Sequence, residues 1–129
     1  MTEKDSAVLA VEQIIDALDQ GDVNAALAGF ATDILILDDI APFRRTGLGE
    51  AKAWIQEVIG ARKRLHASLN MEDRTRRNEG EGRIYMVARA HLTITSSSGI
   101  AEEGGLLTFT LREVDGSWLV DTFVWSVPS

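Results

Sequence analysis

The sequence predicts an α+β domain in which three N-terminal helices pack on a curved, mixed but mostly antiparallel sheet. Apolar residues recur at helical spacing from Val8 to about Gly60. From Arg64 onward they alternate with polar residues, as in strands that bury one face. Helices followed by a run of strands are typical of a sheet covered by helices on one face. A bent sheet under such a cover forms a cone with an internal pocket.

Composition sets the broad class of the protein. The 129 residues are 45% hydrophobic, which suits one globular domain over residues 1–129, and cysteine is absent. A formal charge of -7 disfavours nucleic acid and anionic membranes as main partners. The N-terminus lacks a basic segment followed by an apolar one, and no apolar run approaches the roughly 20 residues that cross a bilayer. We therefore expect a cytoplasmic protein.

Three helices are predicted from spacing and capping residues. The first repeats apolar residues from Val8 to Leu18, with Asp5 or Ser6 as N-cap and Gly21 as its end. Asp22 caps a second helix, whose apolar stripe ends at Phe30. The third helix is predicted from about Leu48 to Gly60. A short strand, residues 34–37, is expected between the second and third helices.

Four strands are predicted after the third helix, over residues 64–76, 83–95, 100–114 and 116–126. Residues 79–82, residues 96–99 and the pair Asp115-Gly116 provide the turns between them. Gly104 and Gly105 predict a bulge that bends the sheet.

Asp121 is the most informative residue of the last strand. Strict alternation places its carboxylate on one face with Leu119, Phe123 and Trp125. A carboxylate in apolar surroundings is costly unless it is paired, solvated in a cavity or functional. The pattern therefore predicts a pocket beside Asp121.

Several segments resemble the superfamily of nuclear transport factor two, ketosteroid isomerase and the SnoaL-like cyclases. They are Gly21-Asp22 between the helices, residues 30–33 before the first strand, and residues 116–119 with Trp125-Ser126 at the end. The resemblance covers about residues 5 to 127. It implies a cystatin-like cone and a homodimer formed through the outer face of the sheet. It specifies no single activity, because this fold supports enzymes, binding proteins and dimerisation modules.

The resemblance carries over to only some of the site residues. Asp38 matches the proton-shuttling aspartate of ketosteroid isomerase, with Asp39 as a substitute, and Trp125 matches an aromatic residue of its pocket. Ile14 stands where a tyrosine would donate to an oxyanion, and Thr108 lies near the place of the protonated aspartic acid. Losing one such donor can cost about two to three orders of magnitude in rate, so steroid isomerisation is not expected.

The predicted site combines two carboxylates with apolar walls. Asp38 as base and Asp121 as acid or orienting partner open on one chamber, and Arg44 or Arg45 can bridge them. The predicted walls are Phe30, Phe43, Trp54, Phe109, Phe123 and Trp125. The alternative interpretation is structural: Asp38 and Asp39 form a turn or cap, and Asp121 is salt-bridged near the mouth of the cone.

No metal or cofactor is predicted, since His66 and His91 fall on the polar face of neighbouring strands without a third ligand. With Tyr85, Arg89 and Thr110, the outer face is also expected to present Leu106, Trp118 and Val120, a mixture that suits a second copy of the chain. Trp118 is the expected anchor, with a core role as the alternative. Three functions remain open: a cofactor-independent lyase, isomerase or hydrolase, a non-catalytic binder of a small apolar ligand, and a homodimeric interaction module.

Overall fold

Three helices cover a six-stranded mixed sheet in the computed structural model, which describes residues 5–127 and, for residues 73–76, the backbone only. The elements are α1 (Ser6–Gln20), α2 (Val23–Ala28), β1 (Phe30–Leu37), β2 (Arg44–Thr46), α3 (Gly47–Leu65), β3 (Ala67–Gly80), β4 (Arg83–Ser96), β5 (Gly99–Val114) and β6 (Ser117–Ser126). The strand order is β2-β1-β6-β5-β4-β3. Only β1 and β6 pair in parallel, and the other pairs are antiparallel. The predicted α+β class is confirmed.

Helix α1 begins and ends as its capping residues predict, and α2 begins as predicted. Helix α2 ends at Ala28, so Phe30 is the first residue of β1 and not part of the helical stripe. The Asp5 carboxylate accepts from Ala7 N at 2.8 Å, and Gly21 ends α1 with a left-handed φ of 79°. A glycine adopts this conformation without the steric cost that a side chain would add. Asp22 caps α2 by accepting from Ala25 N at 3.1 Å. The buried stripe of α1, which includes Val11, packs into the core.

Helix α3 is longer than predicted. It continues past Gly60 to Leu65, and His66 ends it in a left-handed conformation, so β3 begins at Ala67 and not at Arg64. The basic run of residues 62–64 explains the extension, because Arg and Lys favour helix and stabilise the negative end of its dipole. Leu65 is therefore a helical residue, half exposed, and not the first inward residue of a strand.

The first part of the sheet also differs from the prediction. Strand β1 begins at Phe30, four residues before the predicted start at Ile34, and the three-residue strand β2 was not predicted. Strand β2 pairs with β1 through Leu35 and Thr46. A strand as short as β2 shows no alternation that a pattern could reveal. None of the helices formed by residues 5–127 is long and apolar enough to span a membrane.

The sheet has no bulge at the two glycines, and its ladders shift register in other strands, among them β3 and β6. The β4–β5 ladder is regular through Gly104 and Gly105, which pair with His91 and Ala90. In the β5–β6 ladder, Leu111 pairs with Val120 while Thr110 pairs with Thr122, which leaves Asp121 as an extra residue. The predicted bulge at Gly104 and Gly105 is therefore wrong.

The core lies between the helices and the concave face of the sheet. At its centre the Phe123 ring contacts Phe30, Trp54 and Phe109, with ring centroids 6.2, 5.3 and 5.2 Å away. These contacts are edge-to-face, the arrangement that aromatic quadrupoles favour. The aromatic cluster ends where α3 and the sheet diverge, and a cavity opens there.

Candidate functional site

A cavity of about 520 Å³ opens between α3 and the concave face of the sheet. Trp54, Val58, Ala61 and Leu65 line one wall and follow one stripe of α3. Helix α3 also contributes the charged residues Glu57, Arg62 and Arg64. The sheet and the loop after β1 provide the rest: Asp38, Asp39, Ile40, Ala41, Arg45, Ala67, Leu69, Leu92, Ile94, Glu103, Leu107, Phe123 and Trp125. The surface is mainly apolar, with charged groups among it.

Asp38 lies in the cavity wall directly after β1, as the resemblance implies. Its Oδ2 accepts a hydrogen bond from Trp54 Nε1 at 2.8 Å. Its Oδ1 accepts from Ile40 N at 3.2 Å, which closes a turn in the loop. Both donors are neutral and both fix the carboxylate orientation. Each carboxylate oxygen has two lone pairs, so Asp38 retains acceptor capacity toward the cavity.

Two of the arginines that line the cavity are held by other carboxylates. Arg45 donates to Glu57 at 2.6 Å, and Arg62 donates to Asp19 at 2.6 Å. Burial lowers the pKa of the Arg62 guanidinium, and the Asp19 carboxylate opposes that shift. Asp19 also accepts from Leu69 N, so it joins the end of α3 to the start of β3.

The cavity includes three of the six predicted aromatic residues. Trp54, Phe123 and Trp125 line it. Phe30 and Phe109 lie behind that wall, since both are buried and contact the Phe123 ring. Phe43 is 58% exposed and lies outside the lining. Its position at a loop bend, with a φ of 69°, explains why an apolar residue there does not belong to the wall.

Asp121 lies on the opposite face of the sheet, so the prediction that it shares a chamber with Asp38 is wrong. The carboxylate accepts from Thr110 Oγ1 at 2.5 Å and from Arg83 at 2.9 Å, with Arg112 at 3.7 Å. It is 9% exposed. The bulge is the physical reason, because one extra residue reverses the alternation on which the prediction rested. The ion pair of the alternative interpretation is present, on the outer face.

The same reversal changes the faces of its neighbours. Val120, expected on the outer face, is fully buried in the core. Trp118 packs against the core, which is the alternative to its expected role as anchor of a subunit contact. Leu119, expected inside, pairs with Arg112 on the outer side. The expected outward positions of Tyr85 and Leu106 agree with their exposed fractions of 40% and 38%.

The remaining predicted polar residues are dispersed. Arg45 reaches the cavity but bonds Glu57, and neither it nor Arg44 bridges Asp38 to Asp121. Ile14 is buried in the core, and neither it nor Thr108 is among the described lining residues. The cavity therefore lacks the oxyanion donors of a ketosteroid isomerase at these two positions.

The histidines lie apart from the cavity. His91 contacts Glu72 at 2.6 Å on the outer face, and His66 is the C-cap of α3 rather than a strand residue. Among the side chains that the structure describes, residues 5–72 and 77–127, no three histidine, aspartate or glutamate residues are grouped as a metal site requires.

Several lining residues were missed from the sequence. The stripe of Val58, Ala61 and Leu65 continues the spacing of Trp54, which was a usable signal once α3 was known to reach Leu65. Glu103 and Leu107 lie on the same inner face of β5, because alternate residues of a strand point to one side. The predicted bulge at Gly104 and Gly105 concealed that alternation.

Comparison with known proteins supports the architecture. No protein-family profile matches the sequence, and no curated protein sequence matches it. Solved structures do match. A nuclear transport factor two-like protein with a cystatin-like fold from Novosphingobium aromaticivorans superposes with a TM-score of 0.81 at 12% identity, covering 92% of this chain and 77% of that one.

Two Shewanella proteins are similar as well. A candidate ketosteroid isomerase from Shewanella frigidimarina gives a TM-score of 0.79 at 16% identity, covering 95% of this chain and 96% of that one. A nuclear transport factor two-like protein of unknown function from Shewanella oneidensis gives a TM-score of 0.73 at 16% identity, covering 92% of this chain and 94% of that one.

The chain therefore has the cystatin-like fold of nuclear transport factor two-like proteins. The resemblance predicted from the sequence is confirmed at the level of the fold. At these identities the likeness concerns architecture alone, so function has to be argued from the cavity.

Proposed function

We propose that this protein binds a small apolar molecule in the cavity, with a hydrogen-bond donor of that molecule on Asp38. The observation that carries the proposal is an oriented carboxylate in a largely apolar hollow. Ligand sites typically enclose about 300–1,000 Å³ of mostly apolar surface with a few placed polar groups. At about 520 Å³, the cavity suits one small ring system with short substituents.

Acid–base catalysis is the second candidate function, with Asp38 as the base of a cofactor-independent lyase, isomerase or hydrolase. Free acceptor capacity toward the cavity favours it, because a base has to reach the proton that it removes. Asp121 cannot serve as the acid, since it lies on the other face. Asp39, which also lines the cavity, is the nearest replacement in the sequence. The lack of an assigned acid is why binding ranks first.

The substitution Asp38→Asn tests both candidates. We expect it to weaken binding of small cyclic alcohols by about 10- to 100-fold, because a hydrogen bond to a charged group contributes about 1.5–3 kcal/mol. Calorimetric titration of a panel of monocyclic and bicyclic alcohols measures this. If a turned-over substrate is found in the panel, the same variant should abolish turnover.

Asp121→Asn is the matched control for Asp38→Asn. It makes the same chemical change on the outer face, so alcohol affinity should stay within about twofold of the wild type. Equal loss of affinity in the two variants would show that the effect is a general one on folding. Unchanged affinity in Asp38→Asn would remove Asp38 from the site.

We also propose a homodimer formed through the outer face of the sheet. Tyr85 and Leu106 are partly exposed there, and the paired Asp121 and Arg83 lie on the same face. We expect sedimentation velocity at micromolar concentration to show a dimer and Leu106→Lys to shift it toward monomer. Leu9→Lys, at an exposed residue of α1 on the helical side of the sheet, is the control. A wild-type monomer at high micromolar concentration would contradict the proposal.

A further inference from the structure

Most cationic side chains of the cavity are paired with carboxylates. Trp54 Nε1 donates to Asp38, Arg45 donates to Glu57, and Arg62 donates to Asp19. Among the described lining residues, Arg64 is the cationic side chain with no carboxylate partner. An anionic ligand therefore finds one unpaired cation, Arg64, among the described lining residues.

The carboxylates of the cavity are mostly available. Glu57 is neutralised by Arg45, but Asp38, Asp39 and Glu103 form no ion pair with any described residue. The two partners of Asp38 are neutral and leave its charge uncompensated. Outside the two ion pairs, the lining thus holds three carboxylates and one guanidinium, an excess of negative charge. Asp38 is half-buried, whereas Asp39, Glu103 and Arg64 are exposed at the edge of the cavity.

Arg64 does not restore the balance at Asp38. Its NH1 atom lies 3.5 Å from the position that a Cβ on Gly60 would occupy, so its side chain folds back over the preceding turn of α3. Trp54, which bonds Asp38, lies six residues before Gly60, or roughly 9 Å along a helix axis at 1.5 Å per residue. The guanidinium and the Asp38 carboxylate thus belong to different ends of the cavity.

Aromatic walls add a second preference. Trp54 and Trp125 line the cavity together with Phe123. The face of an indole ring attracts a cation, and the attraction grows when water is excluded. Free carboxylates and indole rings around one apolar volume are complementary to a cation with an apolar body.

We propose that the ligand is an apolar amine, with its ammonium group on Asp38 and its hydrocarbon body against the α3 stripe and the inner sheet. This inference rests on the proposed ligand-binding function and names its chemical class. An alkylamine is charged at neutral pH, since its pKa lies near that of lysine. It supplies the cationic donor that Asp38 lacks, and a charge-assisted bond to a carboxylate is roughly twice as strong as a neutral one. An apolar carboxylate would instead meet the excess negative charge.

Three probes of one shape test the class of ligand: cyclohexylmethylamine, cyclohexylmethanol and cyclohexanecarboxylate. Calorimetric titration at neutral pH should show the amine binding at least tenfold more tightly than the alcohol, and the carboxylate most weakly. Asp38→Asn should reduce the ratio of amine to alcohol affinity to near one. Asp121→Asn should leave that ratio unchanged, because this carboxylate lies on the outer face.

Methylamine controls for general attraction to an acidic protein. Without an apolar body it should bind at least a hundredfold more weakly than cyclohexylmethylamine. Equal affinity for the amine and the alcohol, or tighter binding of the carboxylate, would overturn the amine proposal while the ligand-binding proposal survives. If none of the three cyclohexyl probes binds, the ligand-binding proposal fails with it.

Discussion

Replacing Phe123 with alanine is expected to lower the free energy of unfolding by about 3–5 kcal/mol, the usual cost of emptying an aromatic site in a core. Phe123 is 3% exposed, and its ring contacts three other aromatic rings. Deleting it removes the apolar burial and leaves a void next to the ligand cavity. Urea unfolding followed by circular dichroism measures the change.

Phe43→Ala is the matched control for this experiment. It removes the same side chain from a position that is 58% exposed, so the cost should stay within about 0.5 kcal/mol, as for most surface substitutions. Comparable losses in the two variants would mean that the aromatic cluster is not the centre of the core. Phe123→Leu retains part of the apolar volume and should lie between them.

Replacing Gly105 with alanine is expected to cost about 1–3 kcal/mol, because a single added methyl group overpacks the wall behind Trp125. The new Cβ would lie 2.5 Å from Cη2 of Trp125 and 2.7 Å from the carbonyl oxygen of Ser126. The carbonyl belongs to the backbone of β6 and cannot turn aside as a flexible side chain does. The indole has to move, and its movement alters the cavity, so probe affinity should fall as well.

Gly104→Ala is the control for the position of this contact. The neighbouring Cβ would meet its nearest atom, His91 Nδ1, at an ordinary 3.7 Å. We expect this variant to unfold within about 0.5 kcal/mol of the wild type, since surface changes away from special features usually lie in that range. If Gly104→Ala lowered the free energy of unfolding as much as Gly105→Ala, the loss would come from reduced backbone freedom and not from contact with Trp125.

The sequence was sufficient for the fold class because most elements, though not the three-residue β2, carried a local signal. Asp5 and Gly21 mark the ends of α1 by capping chemistry that acts within a few residues. Asp115-Gly116 similarly marks the last hairpin. Asp38 was placed in the site by the resemblance to ketosteroid isomerase, and it lines the cavity with a hydrogen bond from Trp54.

The sequence was not sufficient to predict on which face of the sheet the Asp121 side chain lies. Alternation propagates along a strand only while the ladder is regular, and one extra residue reverses every later side chain. Nothing in residues 117–126 distinguishes a bulge at Asp121 from a regular strand. The pairing partners Thr110 and Arg83 lie on other strands, 11 and 38 residues away in the chain, so no local pattern reveals them. For the same reason, sequence could not show which aromatic residues line the cavity.

The indole of Trp54 bonds the proposed anchor Asp38, and Trp125 faces the same hollow. Two of the three tryptophans of the chain are thus in the cavity wall. An occupant that expels water from these rings changes their surroundings directly. The fluorescence of these two tryptophans should therefore change when a ligand binds, so it can be used to screen for natural ligands without any added dye.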